Sequence, residues 1–105
     1  MTSRNSGKAT SPAFMRSYAL RCAAGNSEHL ADALVQIVDI LKRQNGLERA
    51  EIFRSEDDPC AFLFQEVWVS RDCYDSASAE IGKSTFAAVA KFISGKPESH
   101  AMIRL

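Results

Sequence analysis

The chain has little with which to hold a metal ion or a nucleic acid. It contains two histidines and three cysteines, with no Cys-x-x-Cys pair and no histidine at the spacing of a metal ligand. Thirteen basic residues meet thirteen acidic ones, for a net charge of zero. Without a basic run, nothing in the charge pattern points to nucleic acid or to an anionic membrane as a partner. No apolar stretch approaches the roughly 20 residues of a membrane-spanning helix, and the first residues lack the hydrophobic centre of a signal peptide. Cys22, Cys60 and Cys73 are odd in number and far apart, which excludes a complete disulfide framework and fits a reduced, cytoplasmic setting. Cys22 reads as a small buried hydrophobe.

What is present is apolar content, 46% of 105 residues, enough for one compact domain with a single core. Residues 1–15 are rich in Ser, Thr, Asn, Gly and Lys and free of Asp and Glu. They read as a flexible N-terminal arm, which leaves residues 16–105 as the domain. Within it, the stretch Ala61 to Ser70 alternates as a strand with two largely apolar faces, as expected in the middle of a sheet. One face carries Phe62, Phe64, Glu66 and Trp68, the other Ala61, Leu63, Gln65, Val67 and Val69. Glu66 stands out, a carboxylate between Phe64 and the only tryptophan.

The remaining elements follow from periodicity. Arg16 to Ala23 alternates as a first strand with Tyr18, Leu20 and Cys22 on one side. Asn26 or Ser27 can cap a helix over Glu28 to Gln44, whose stripe of Leu30, Leu34, Ile37 and Leu41 ends at Asn45-Gly46. Leu47 to Arg54 reads as an edge strand, with Ala50 and Ile52 on its apolar side and Glu48, Arg49, Glu51 and Arg54 as guarding charges. The turn Ser55 to Pro59 makes it a hairpin with the Ala61 strand. A short helix over Arg71 to Ala79, capped by Ser70, puts Cys73 and Ala77 on one face. A second helix from Lys83 or Ser84 carries Phe86, Val89, Ala90 and Ile93 until Gly95-Lys96-Pro97 stops it. Glu98 to Leu105 is a last strand, with Ala101, Ile103 and Leu105 facing one way and His100, Met102 and Arg104 the other.

The order strand, helix, strand, strand, helix, strand implies an α+β, ferredoxin-like βαββαβ fold. Its four-stranded antiparallel sheet has the first and third strands at the centre and helices on one face. The other face would then present Leu63, Val67 and Val69 to water, more contiguous apolar surface than a monomer usually shows, so a homodimer through the sheet face is expected.

Gln65-Glu66-Val67-Trp68-Val69-Ser70, followed by a short helix, by Phe86 in a second helix and by a last strand, resembles the antibiotic biosynthesis monooxygenase family of dimeric α/β barrels. The resemblance spans residues 16–105 and includes Gly25 before the first helix and Gly46 at its end. It implies a pocket between helices and sheet in each subunit. It also implies oxidation of a small phenolic or quinol-like aromatic by O₂ with neither metal nor flavin, because an electron-rich aromatic anion can itself reduce O₂. On that resemblance the catalytic pair is Glu66 and Trp68, with Trp68 as a pocket wall. Glu66 would be a proton acceptor whose pKa desolvation raises. Tyr18, Phe64, Phe86 and His100 are the substrate-binding candidates.

The segment Asp75-Ser76-Ala77-Ser78-Ala79 lacks the histidine that many relatives carry there. Of the Asn, Trp and His set of haem-degrading relatives only Trp68 is matched, since Ala19 and Ala77 stand at the other two places, so haem degradation is not expected. Plainer roles stay open beside these: core filler for Trp68, an acceptor for a helix-start amide or for Arg21 at Glu66, and surface positions for His29 and His100. A monooxygenase, a non-catalytic small-ligand-binding dimer and a purely structural dimer therefore remain. An open cavity of a few hundred cubic ångström beside Trp68 would retain the first two.

Overall fold

In the computed structural model the described residues are 11–105. The expected arm lies partly outside them, and its last two residues, Phe14 and Met15, already belong to the first strand. β1 runs Phe14–Arg21, α1 Ser27–Leu41, β2 Leu47–Arg54, β3 Ala61–Trp68, α2 Arg71–Ile81, α3 Ser84–Ala90 and β4 Glu98–Ile103. β1 starts two residues early because Phe14, 2% exposed, has a place in the core opposite Trp68. The sheet is antiparallel in the order β2-β3-β1-β4. The first and third strands are thus central, in the βαββαβ order with the second helical segment split in two.

Register assigns the faces, since residues directly opposite in an antiparallel pair share a side. Phe14, Arg16, Tyr18 and Leu20 of β1 lie opposite Trp68, Glu66, Phe64 and Phe62 of β3. This is the side the helices cover, and with the α1 stripe it forms the core. Leu30, Leu34, Ile37, Val38 and Leu41 of α1 are all buried, and fully burying such a side chain stabilises by about 1.5–3 kcal/mol.

Local details depart from the sequence expectations for physical reasons. Neither Asn26 nor Ser27 caps α1 with its side chain. Asn26 Oδ1 is instead 3.1 Å from His29 Nδ1, and Ser27 Oγ donates to the Pro59 carbonyl at 2.6 Å. Arg54 is not a guarding edge charge. It faces α1, where it donates to Glu28 at 2.8 Å and to Ser27 Oγ at 3.0 Å, with its guanidinium carbon 5.5 Å from the Phe62 ring centre. α1 stops at Leu41 rather than Gln44, and α3 ends at Ala90 rather than continuing through Ile93. Ile93 instead makes an isolated bridge with Cys22, so a sheet contact outcompetes the last helical turn.

Gly46 does adopt a positive φ, 88°, but in the turn entering β2 rather than as the cap of α1. Its carbonyl accepts from Val69 N at 2.7 Å, and a Cβ there would fall 2.5 Å from Cys73 Sγ and 2.6 Å from Cys73 Cβ. The β2 entry and the first turn of α2 therefore touch backbone against side chain, which only glycine permits. Gly46→Ala combines a strained conformation with overpacking and is expected to cost about 3 kcal/mol. Thermal melts followed by circular dichroism should show a midpoint lower by roughly 10 °C or more. A shift within experimental error would mean that α2 does not dock as described.

On the opposite side of the sheet, Met15, Ser17 and Ala19 of β1 lie opposite Val67, Gln65 and Leu63. No helix among the described residues covers this face. Val67, expected to be bare, is only 4% exposed because the rows on either side flank it with Met15 and Arg49. Phe53, opposite Leu63, and Met102, opposite Met15, are each 48% exposed and give the face its apolar surface.

Candidate functional site

Between the helix-covered face of the sheet and the three helices lies a cavity of about 440 Å³, within the usual range for small-molecule sites. β1 and β3 supply its floor through Tyr18, Phe64, Glu66 and Trp68, α1 one wall through Leu34 and Ile37, and α2, α3 and the segment after α3 the rest. Four of the six expected site residues, Tyr18, Phe64, Glu66 and Trp68, thus meet on adjacent positions of two paired strands. Phe86 joins them from α3 at the rim, 37% exposed.

His100 does not join them. It lies opposite Ser17, on the side of the sheet facing away from the cavity, and is exposed. The alternation of β4 decides this, since Ser99 opposite Tyr18 and Ala101 opposite Arg16 take the helix-facing positions. Ala19 likewise faces the open side, opposite Leu63, so it cannot stand for a pocket residue of the haem-degrading set; Ala77 does line the cavity.

Glu66 is 2% exposed. Strand alternation puts Trp68 two residues on and on the same face, where its Nε1 donates to Glu66 Oε1 at 3.0 Å. Desolvation raises the Glu66 pKa above the ordinary carboxylate range, while the indole N–H and the charge of Arg16 pull it back. The arginine that Glu66 senses is Arg16, directly opposite in register, not Arg21, which pairs with Asp58 at 2.8 Å on the exposed surface. Tyr18 is pushed up to about 12 by burial and by the Glu66 charge, so its hydroxyl stays protonated at neutral pH.

Tyr74 also lines the cavity, and Arg16 lies beside its tyrosines. Tyr74 of α2 lies with its ring centre 6.1 Å from Trp68, edge to face, and 5.1 Å from Phe14. The sequence signal was present in the Ser70 cap: Ser70 Oγ accepts from Cys73 N at 3.3 Å, which sets the helix phase. Tyr74, one turn after Ser70 and three residues before buried Ala77, then has to face the sheet. Arg16 stacks beside both tyrosines, its guanidinium carbon 5.1 Å from the Tyr18 ring centre and 5.8 Å from that of Tyr74. Among the described residues, no group of three or more His, Cys, Asp or Glu side chains is placed to hold a metal ion. No helix among them is long and apolar enough to cross a membrane.

The arrangement offers an apolar slot with one buried carboxylate and one protonated phenol at its floor. It can accept a proton from a ligand hydroxyl and donate a hydrogen bond to a ligand oxygen while most of the wall excludes water.

Comparison with known proteins matches residues 14–80 to the family model described as antibiotic biosynthesis monooxygenase. The chain resembles the structure of a mutant form of SnoaB, a cofactor-independent oxygenase from Streptomyces nogalater, at 14% identity and a TM-score of 0.76, covering 88% of this chain and 92% of that one. It also resembles a provisionally assigned antibiotic biosynthesis monooxygenase from Nitrosomonas europaea, at 16% identity and a TM-score of 0.79, covering 90% and 92%. PA3566 from Pseudomonas aeruginosa is similar at 15% identity and a TM-score of 0.76, covering 91% and 97%. No curated protein matches.

Proposed function

Because the chain belongs to the antibiotic biosynthesis monooxygenase family, we propose that it oxidises a small phenolic or quinol-like aromatic with O₂, in the cavity above Glu66 and Trp68, without a bound cofactor. The observation that carries this reading is the buried Glu66 carboxyl beside an apolar cavity of about 440 Å³. A base with a raised pKa accepts a phenol proton near neutral pH, and a dry, aromatic-lined slot suits a planar ring.

In the reaction, Glu66 takes the proton of the ring hydroxyl. The resulting anion passes one electron to O₂, and the radical pair joins as a ring-carbon peroxide, which takes the proton back from Glu66 to become the hydroperoxide. Loss of water then leaves a carbonyl, so that the hydroxyl hydrogen and one ring C–H hydrogen leave with one oxygen atom of O₂ as H₂O, and the other oxygen atom stays as C=O. Trp68 holds Glu66 through its indole N–H and forms the wall against which the ring lies.

The test is oxygen uptake by the metal-free protein with a panel of hydroquinones and anthrone-type phenols. Turnover above the uncatalysed rate, reduced in Trp68→Phe, supports the reading. No uptake across the panel, with the same compounds still binding, replaces it by a non-catalytic small-ligand-binding module. That second reading draws on one observation: residues 75–79 carry no imidazole, and neither His29 nor His100 lines the cavity.

The same proposal includes a homodimer through the open sheet face, formed over Phe53, Leu63 and Met102. Val67 is unsuited to testing it, because a charge at a buried position would unfold the subunit. Phe53→Asp and Met102→Asp place charges at half-exposed positions of that face. Light scattering should show a dimer for the parent chain and monomers for both variants, with unchanged circular dichroism. Variants that stay dimeric would assign the contact to another surface.

A further inference from the structure

The helix-facing row of the central strand pair holds two charges, Arg16 and Glu66, directly opposite one another. Arg16 turns to Tyr18 rather than closing an ion pair with Glu66. Its Nε donates to the Tyr18 hydroxyl oxygen at 3.3 Å, and its guanidinium plane packs beside the rings of Tyr18 and Tyr74. A guanidinium has no acceptor atom, so the hydroxyl oxygen is the acceptor in this bond and its own proton is directed elsewhere. The Tyr18 ring is stacked on Phe64, centres 5.8 Å apart and planes 21° apart, which limits where the hydroxyl can go.

Tyr18 and Glu66 are diagonal neighbours on one sheet face, a relation that separates the two backbone positions by about 7–8 Å and leaves them within reach of aromatic and long side chains. Both border the cavity. A single ligand oxygen between them can therefore give its proton to Glu66 and accept the Tyr18 proton.

We propose that Arg16 is a positioning residue that holds Tyr18 as a hydrogen-bond donor into the cavity, and that the pair selects aromatic ligands whose hydroxyl is bound as the phenolate. This rests on the placement of a phenolic ligand in that cavity under the proposed function. It adds the group that stabilises the anion once Glu66 has taken the proton, and it gives the nearby guanidinium charge a route to the ligand through one hydroxyl. Its consequence is selectivity. Aromatics with an ionisable hydroxyl are retained, and their methyl ethers, which can supply neither the proton nor the anionic acceptor, are not.

The experiment uses 4-nitrophenol, whose absorbance reports its ionisation, bound to the full chain and to Arg16→Gln, Arg16→Lys and Tyr18→Phe. The parent chain should lower the apparent pKa of the bound probe by about one unit, roughly a tenfold gain in phenolate at fixed pH. Arg16→Gln and Tyr18→Phe should abolish that shift, and Arg16→Lys should retain part of it, with far-ultraviolet circular dichroism unchanged in all three. A probe that does not bind, a shift unchanged in Arg16→Gln, or a full shift surviving in Tyr18→Phe would each overturn the proposal; the last would mean that Arg16 meets the ligand directly. Oxygen uptake with hydroquinones, measured in parallel, separates the two ideas. Uptake absent while the probe shift persists retires the oxygenase reading and leaves the Arg16–Tyr18 site standing.

Discussion

Trp68→Ala should remove about 3–5 kcal/mol of stability, the cost of truncating a fully buried large aromatic. Against a typical total of about 5–15 kcal/mol for a domain, that is enough to leave much of the population unfolded on mild warming. Trp68 is 1% exposed and stands opposite Phe14 on the central strand pair, so the hole would open where β1, β3 and α2 converge. The edge contact with Tyr74 goes with it. The indole N–H is also the one side-chain donor to the buried Glu66 carboxyl among the described residues, and its loss leaves that group without compensation. Trp68→Phe keeps most of the volume and forfeits only the hydrogen bond, so it should lose far less. Denaturant melts of the two variants check this ordering. Equal losses would mean that the hydrogen bond, not the volume, sustains the site, and a loss below about 1 kcal/mol for alanine would show that the site collapses without cost.

Glu66→Gln should separate function from stability. Under the proposed function the carboxylate is the general base, a role worth about 10²–10⁴-fold in rate, and oxygen uptake should fall by that order. Stability should move the other way. The folded-state pKa of Glu66 lies above its unfolded value, so the folded state holds the proton more tightly and unfolding is favoured as pH rises through the window between the two. That window opens at the ordinary glutamate value, about 4.3, and closes at the raised folded value. Glutamine carries no charge to desolvate and still presents an oxygen to Trp68 Nε1. The variant should therefore be as stable as the parent near pH 4 and more stable at pH 7. Asp58, whose pKa is lowered by Arg21, contributes the opposite slope to both chains and cancels in the difference. A difference that shrinks as pH rises would sink the assignment of Glu66 as a desolvated carboxylate.

Much of this site could be read from alternation alone. In β3 the two-residue period obliges Phe64, Glu66 and Trp68 to share a face, and no tertiary context was required to see it. Tyr18 follows chiefly from topology, which brings β1 beside the central strand. As a substrate-binding candidate His100 fails, and its plainer surface reading holds, because the side of the sheet to which an edge strand turns depends on register with β1, a pairing between opposite ends of the chain that the pattern of β4 does not encode. Phe53 was missed as an open-face residue because a strand with charges at Glu51 and Arg54 looks polar on every side, whereas Arg54 is turned inward by Ser27 and Glu28. The end of α3 was overestimated for a related reason. Its apolar spacing continues to Ile93, but the bridge to Cys22 draws that residue into the sheet, and helical periodicity is silent about a competing strand partner. Arg16 could have been found by asking which residue lies opposite Glu66 once β1 and β3 are paired.

The strand order β2-β3-β1-β4 also bears on how the chain is made. β1 emerges from the ribosome first among the described elements, yet its neighbours are β3 and β4, so it must wait through α1 and the whole β2–β3 hairpin for one partner and to residue 98 for the other. The hairpin, with a turn of six residues between its strands, can close within microseconds of leaving the exit tunnel. β1 has no such local option, and at about 5–20 residues per second its apolar row stays unpaired for seconds. Translation thus imposes an order in which the hairpin is the template, β1 docks on it, and β4 closes the open edge last. The interval before that closure is when nascent chains can pair wrongly with one another, so slowed elongation between Trp68 and Glu98 would tax this protein more than a pause anywhere in α1.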